Sequence, residues 1–90
     1  MSPNNAKIEA LYNIILTLDN MEDCKAFFED LCTRKEVEKM AERAYAAKLL
    51  LEGKTYNQVM EDADISSATL SRVSQCVQYG QGYRKMLKTE

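Results

Sequence analysis

The 90-residue sequence contains no histidine, no tryptophan, one proline and three glycines. Histidine is the commonest general base in enzymes and the usual partner of a serine or cysteine nucleophile, so its absence argues against the common catalytic sites. Scarce proline and glycine, together with 46% hydrophobic residues, exclude a disordered or collagen-like chain and favour packed helices. We therefore expect an all-α protein without an active site.

The three cysteines, Cys24, Cys32 and Cys76, form no C-x-x-C pair, and there is no histidine to complete a zinc site. We interpret them as reduced thiols that pack as small hydrophobic side chains. No apolar run is long enough to cross a membrane, and the start, MSPNNAKIEA, lacks the basic and then apolar order of a signal peptide. We expect a cytoplasmic protein with neither cofactor nor membrane partner.

The net charge of −2 is unevenly distributed along the chain. Residues 1–62 contain eight Lys or Arg and twelve Asp or Glu, whereas residues 63–90 contain four Lys or Arg and two Asp or Glu. The C-terminal third therefore carries a basic excess, which favours a negatively charged partner such as the phosphates of nucleic acid.

The first predicted helix, residues 5–18, has apolar side chains around more than half of its circumference, because Ile14 and Leu16 lie outside its main stripe. A chain of this length has little polypeptide with which to cover such a helix, so we interpret it as the interlocking helix of a homodimer. The alternative is a helix central to a monomeric bundle. The main stripe consists of Ile8, Leu11, Tyr12, Ile15 and Leu18.

Start signals predict the next two helices. Asp19, followed by Glu22 and Asp23, resembles the capped start of a second helix, whose apolar face lies within residues 26–32. Thr33-x-x-Glu36 is a capping box that opens a long helix over residues 34–52, and Gly53 ends it. The apolar residues that recur at helical spacing in this third helix are Val37, Met40, Ala41, Ala44, Tyr45, Ala47 and Leu51.

Residues 55–77, TYNQVMEDADISSATLSRVSQCV, have the pattern of a helix-turn-helix. Thr55 begins the first helix in a T-x-x-Q capping box, and Ser66 caps the second helix. Asp64 occupies the turn position at which glycine usually supplies a positive φ, a conformation that aspartate tolerates. The alternative is a plain helical hairpin. The side chains expected to face inward are Val59, Met60, Ala63, Ile65, Leu70 and Val73.

The outward side of the second motif helix is small and polar, so it could enter a DNA major groove without steric or acidic obstruction. Residues just before and at the start of the first motif helix are predicted to contact phosphates. The predicted DNA-binding residues of the second helix are Ser66, Ser67, Ala68, Thr69, Ser71 and Arg72, and the predicted phosphate contacts are Lys54, Asn57 and Gln58.

With no internal repeat or linker, the sequence is interpreted as a single domain over residues 1–90. Two glycines follow the motif. After them we expect one last short helix over residues 83–88 and a frayed end at Thr89 and Glu90. The predicted segments are dimerisation helices in 1–32, a central helix in 33–53, the helix-turn-helix in 54–78 and the C-terminal helix in 79–90.

Several of these features occur together in one known family. Over about residues 5–88 the sequence resembles the Trp repressor family, and most closely its YerC/YecD group. The residues that carry the resemblance are Leu31-Cys32-Thr33, Glu36, Arg43, Leu49-Leu50, Gly53, the run ISSATLSRV over residues 65–73 and YGQGYR over residues 79–84.

The resemblance implies an intertwined homodimer of about six helices per chain, with two helix-turn-helix heads that meet successive major grooves. It also implies a candidate effector pocket, in which Arg43 and Arg72 would hold an indole ring and Thr33 would help to hold the ligand. Val73 and Cys76 stand where the repressor has glycine and serine; valine would fill the space of the ring, and cysteine is a weak hydrogen-bonding partner. We therefore do not expect tryptophan to be the effector, and the existence of another small-molecule effector stays open.

The predicted function is that of a sequence-specific transcriptional regulator, a repressor, which binds double-stranded DNA at a palindromic operator as a homodimer. One alternative is a helix-turn-helix adaptor that binds proteins. The negative net charge favours it, and so does the single basic residue of the second motif helix, which we call the reading helix. Another is a nonregulatory duplex binder similar to the DnaA duplex-binding domain.

Overall fold

A computed structural model describes residues 3–87 of the chain, in which all regular secondary structure is helical. The helices of this part are α1 (Pro3–Ile15), α2 (Met21–Leu31), α3 (Arg34–Leu51), α4 (Tyr56–Ala63), α5 (Ser67–Tyr79) and α6 (Gly82–Met86). The predictions of an all-α fold and of about six helices are confirmed. Lys88, Thr89 and Glu90, which include the end of the predicted last helix, lie outside the described residues.

The chain divides into two compact units, Met1–Arg34 and Lys35–Glu90. The first contains α1 and α2, and the second contains α4, α5, α6 and all but the first residue of α3. The single domain over residues 1–90 stays a prediction. Within residues 3–87, no helix is both long enough and apolar enough to span a membrane.

Two details of the first unit differ from the sequence-based expectation. Helix α1 ends at Ile15, earlier than predicted, where the Thr17 hydroxyl donates a 2.7 Å hydrogen bond to the carbonyl of Ile14. The Thr17 N–H donates to the same carbonyl at 3.0 Å, so both bonds go to a carbonyl that has no partner within the helix. The N-cap of α2 is Asn20 and not Asp19, because the Asn20 side chain accepts the N–H of Asp23 at 2.8 Å.

The described side chains of residues 4–34 include none that is buried in this chain. Tyr12 is 59% exposed and Leu16 is 80% exposed, and Ile8 and Ile14 are exposed as well. The rings of Phe27 and Phe28 pack edge to face, with centroids 5.5 Å apart. The first unit therefore presents apolar surface without burying a core of its own.

The second unit contains the buried core, which α3, α4 and α5 supply. Of the apolar stripe predicted for α3, Ala47 is buried, but Met40 and Tyr45 are exposed. The helix itself is confirmed, and the exposure of Met40 and Tyr45 shows that α3 is apolar on a side that does not pack against α4 and α5, which helical periodicity does not specify. The core residues are Ala46, Ala47, Leu49, Val59, Ala63, Leu70, Val73 and Val77.

Candidate nucleic-acid interface

A capping box fixes the start of α4. The Thr55 hydroxyl oxygen accepts the N–H of Gln58 at 3.2 Å, and the Gln58 side-chain oxygen accepts the N–H of Thr55 at 2.9 Å. These two bonds satisfy backbone donors that have no acceptor within the helix. The predicted T-x-x-Q box is confirmed, and the amide group of Gln58 still has both of its N–H donors for another acceptor.

The turn between α4 and α5 is built from Asp64 and Ser66. Asp64 adopts a left-handed conformation, with φ 56° and ψ 49°, and its N–H donates to the carbonyl of Met60. The Ser66 hydroxyl oxygen accepts the N–H of Thr69 at 3.2 Å and donates to the Thr69 hydroxyl at 3.1 Å. Both predicted roles, the positive φ at Asp64 and the cap at Ser66, are confirmed.

The side of α5 that was predicted to face inward is the buried side. Leu70 is 0% exposed and Val73 is 2% exposed, and Val59 and Ala63 of α4 are buried beside them. Met60 and Ile65 are partly buried and pack against the same core. The inward set is confirmed, and Ser74 and Val77 extend it beyond the residues predicted.

The opposite side of α5 is mostly exposed in this chain. Ser67, Ala68, Ser71 and Arg72 are exposed, whereas Thr69 is half-buried. Ser66 is exposed too, but its hydroxyl is engaged in the cap. The helix therefore presents a short, mostly polar surface with a single cation, and the contact of these residues with DNA stays a prediction.

The predicted phosphate contacts Lys54, Asn57 and Gln58 are all exposed, and they lie before or at the start of α4. Lys54 follows Gly53, which has a φ of 91° and lies just after the end of α3. The N–H of Lys54 donates to the carbonyl of Leu49 at 3.1 Å. From Ile65 to Thr89 the sequence contains no acidic residue. The surface after the turn is therefore electrostatically suited to an anionic partner.

Two of the residues predicted for an effector pocket line one cavity. Arg43 of α3 and Arg72 of α5, with Ala68 and Thr69, line a cavity of about 510 Å³, which we call the arginine cavity. Arg43 lies about one turn before Ala46 and Ala47 on the side of α3 that faces α5. The sequence left open whether Arg43 points into a groove beside the reading helix, and the structure places it there.

A second, smaller cavity of about 160 Å³ adjoins the first and shares Arg43 and Thr69 with it. Lys39 and Glu42 of α3 also line it, and their charged groups lie 3.6 Å apart. No sequence pattern singles out Lys39, because only the approach of α3 to the turn brings it near α5. The remaining lining residues are Asp64, Ile65 and Ser66.

Two other residues predicted for the pocket, Val73 and Cys76, lie elsewhere in the second unit. Val73 is buried in the core and does not line the arginine cavity. Cys76 lines a separate apolar groove of about 610 Å³, with Ala44 and Tyr83 among its neighbours. Thr33 belongs to the first unit. Among the described residues, no group of three or more Cys, Asp or Glu side chains could hold a metal ion.

Comparison with known proteins gives concordant matches. The family model described as Trp repressor protein matches residues 6–90. The uncharacterized protein YerC of Bacillus subtilis is 42% identical over 74 residues, which are 82% of this chain and 71% of that protein.

Two solved structures are similar along almost the whole chain. A candidate Trp repressor from Staphylococcus aureus has a TM-score of 0.87 at 38% identity and covers 91% of this chain and 83% of its own. A TrpR-like protein from Eubacterium eligens has a TM-score of 0.86 at 35% identity and covers 93% of this chain and 94% of its own. The matches confirm the family resemblance that the sequence motifs indicate.

Proposed function

Because this chain belongs to the Trp repressor family, we propose that it is a DNA-binding transcriptional regulator, specifically a repressor that acts as a homodimer on a palindromic operator. Two-fold symmetry of the protein would require two-fold symmetry of the operator, with half-sites about one helical turn, near 34 Å, apart on one face of the duplex. The same proposal places the protein in the cytoplasm, with the DNA that it regulates.

The observation that carries this proposal is the division of α5 into two sides. Leu70 and Val73 anchor one side in the core, and the other side, which includes Ser67, Ser71 and Arg72, is exposed. A helix held in this way can enter a major groove while its outer side chains reach base edges. No acidic side chain of α5 opposes its approach to phosphates.

Selection of bound sequences from random duplex DNA tests the proposal directly. We expect a palindrome to be recovered, and its half-site spacing would give the register of the two reading helices. Recovery of no preferred sequence would contradict a regulator that acts on a specific operator. A protein-interaction adaptor is distinguished by salt, because duplex binding should weaken steeply as the salt concentration rises.

Arg72 is the cation of the reading helix, and its substitution gives a second test. Arg72→Ala should weaken binding to the selected operator by about 1 to 3 kcal/mol, because a contact with a base edge or a phosphate is lost. Lys48→Ala is the matched control, since Lys48 is an exposed cation of α3 that lines neither cavity of the reading helix. Equal affinities of the wild type and Arg72→Ala in a gel-shift titration would count against the assignment.

The arginine cavity is the part of the predicted effector pocket that we retain as a binding site. Two guanidinium groups and no acidic residue line it, so an anion suits it. We do not propose tryptophan as its ligand. Val73 is part of the buried core and Cys76 lines the apolar groove, so neither is among the residues that line the arginine cavity.

A further inference from the structure

We propose that the anion held in the arginine cavity is a phosphate of the DNA backbone, bound jointly by Arg43 and Arg72. The inference rests on the proposed DNA binding and extends it to α3, which lies outside the helix-turn-helix. The central helix would then contact DNA directly, and binding would need no small-molecule effector.

The position of the cavity supports DNA as the source of the phosphate. Ala68 and Arg72 belong both to the lining of the cavity and to the exposed side of α5 that is proposed to face the groove. Arg43 is exposed as well and comes to this surface from α3. A backbone that borders the groove entered by α5 would therefore pass the mouth of the cavity.

The charges around the cavity support an anion that comes from outside the chain. Neither Arg43 nor Arg72 has an ion pair or a side-chain hydrogen bond with another residue in the part of the chain that the structure describes. Glu42, the acidic residue directly before Arg43 in the sequence, lies 3.6 Å from Lys39. Arg43 and Arg72 thus line one cavity with no acidic side chain in its lining, and a phosphate has enough acceptor oxygens to bind both guanidinium groups.

Asp64 is the other acidic side chain near this surface, and it lines only the smaller cavity. Lys39 and Glu42 line that smaller cavity too and pair with each other at 3.6 Å, so the cations and carboxylates of its lining balance. In the described part of the chain, the positive charge at this surface that no acidic side chain pairs with is therefore that of Arg43 and Arg72 in the arginine cavity.

A free phosphate or a phosphorylated metabolite offers the same chemistry, so the test must separate the two sources. We would dialyse the protein free of small molecules and titrate it against a short mixed-sequence duplex, with fluorescence anisotropy as the readout, between about 50 and 200 mM salt. The variants are Arg43→Gln, which removes the charge, and Arg43→Lys, which keeps it. Lys48→Gln is the control, an exposed cation of the same helix away from both cavities.

The slope of log affinity against log salt concentration is the decisive quantity, because it reflects the number of counterions that cationic side chains release from the DNA. Arg43→Gln should reduce the magnitude of the slope by about 0.9 for each Arg43 at the duplex, or about 1.8 when both subunits of the proposed dimer bind, and should weaken binding by about tenfold per Arg43 at the low end of the salt range. Arg43→Lys should keep the slope and lose affinity, since lysine binds as a point charge without the two-pronged geometry of arginine. Lys48→Gln should match the wild type.

An unchanged slope in Arg43→Gln would overturn the inference while leaving the proposed function intact. Duplex binding that appears only after inorganic phosphate is added at constant ionic strength would also overturn it, in favour of an effector site. If the wild type shows no salt-dependent duplex binding, the proposed function itself fails, and the inference fails with it. Thermal melting of both Arg43 variants shows whether a loss of affinity comes from unfolding. A preserved slope in Arg43→Lys would show that the smaller slope of Arg43→Gln comes from the lost charge and not from lost stability.

Discussion

Asp64 is the residue on which the geometry of the helix-turn-helix, formed by α4 and α5, depends. It is the non-glycine residue with positive φ among residues 3–87, and it lies between the last residue of α4 and the cap of α5. The left-handed conformation is costly for most L-residues, and Asp and Asn tolerate it best after glycine. A single residue thus sets the direction in which α5 leaves α4.

Substitution of Asp64 should follow the cost of this conformation. Asp64→Gly should change the free energy of unfolding by less than about 0.5 kcal/mol, because relief of the strain is offset by the greater freedom of glycine in the unfolded chain. Asp64→Val should lower it by more than about 1 kcal/mol, since a β-branched residue is a strong outlier at positive φ. Urea unfolding measures both.

The control for this series is Asp62→Val, at an exposed position inside α4. There the backbone is helical, so only a small loss of helix propensity is expected. If Asp64→Val were as stable as Asp62→Val, the strain assigned to the turn would be absent.

Helix termini are the elements whose positions follow most directly from local sequence. Thr55 with Gln58 at the start of α4, Ser66 at the start of α5 and Gly53 at the end of α3 all take their predicted roles. Each involves partners within a few positions along the chain, so the signal survives without knowledge of the rest of the fold. Asn20 was missed because Asp19 and Asn20 are both good caps and sequence alone does not rank them.

The capping box of α4 gives a prediction at the scale of an element. Thr55→Ala should lower the free energy of unfolding by about 1 kcal/mol, because the Gln58 N–H loses its acceptor at the helix start. Thr55→Ser keeps the hydroxyl and should retain most of the stability. Equal destabilisation by the alanine and serine variants, measured by thermal or urea unfolding, would show that the cap contributes little.

At the scale of the whole molecule, the two units differ in what they bury. The core lies in residues 46–77, while the side chains described in residues 4–34 are exposed or half-buried. Exposed apolar residues in this number on α1 are typical of a surface that associates with another protein. The homodimer, proposed from the sequence and from the family, gives this surface a partner.

The homodimer predicts a sedimentation mass twice that of the chain at micromolar concentration. Tyr12→Lys combined with Ile8→Lys should shift the protein towards monomer, because each substitution places a charge in an apolar surface that the dimer would cover. Asn13→Lys, at an exposed polar position of the same helix, should leave the mass unchanged. A wild type that sediments as a monomer would contradict the prediction.

The helical class, the turn at Asp64 and the inward side of α5 follow from the amino-acid sequence alone. These depend on capping residues and on apolar periodicity within a few turns of one helix. The packing of the helices in three dimensions establishes which side of α3 is buried within the chain, that Arg43 and Arg72 line one cavity, and that Val73 and Cys76 do not line it. The physical reason is that such placements depend on how helices distant in the sequence pack together, and no local pattern encodes that packing.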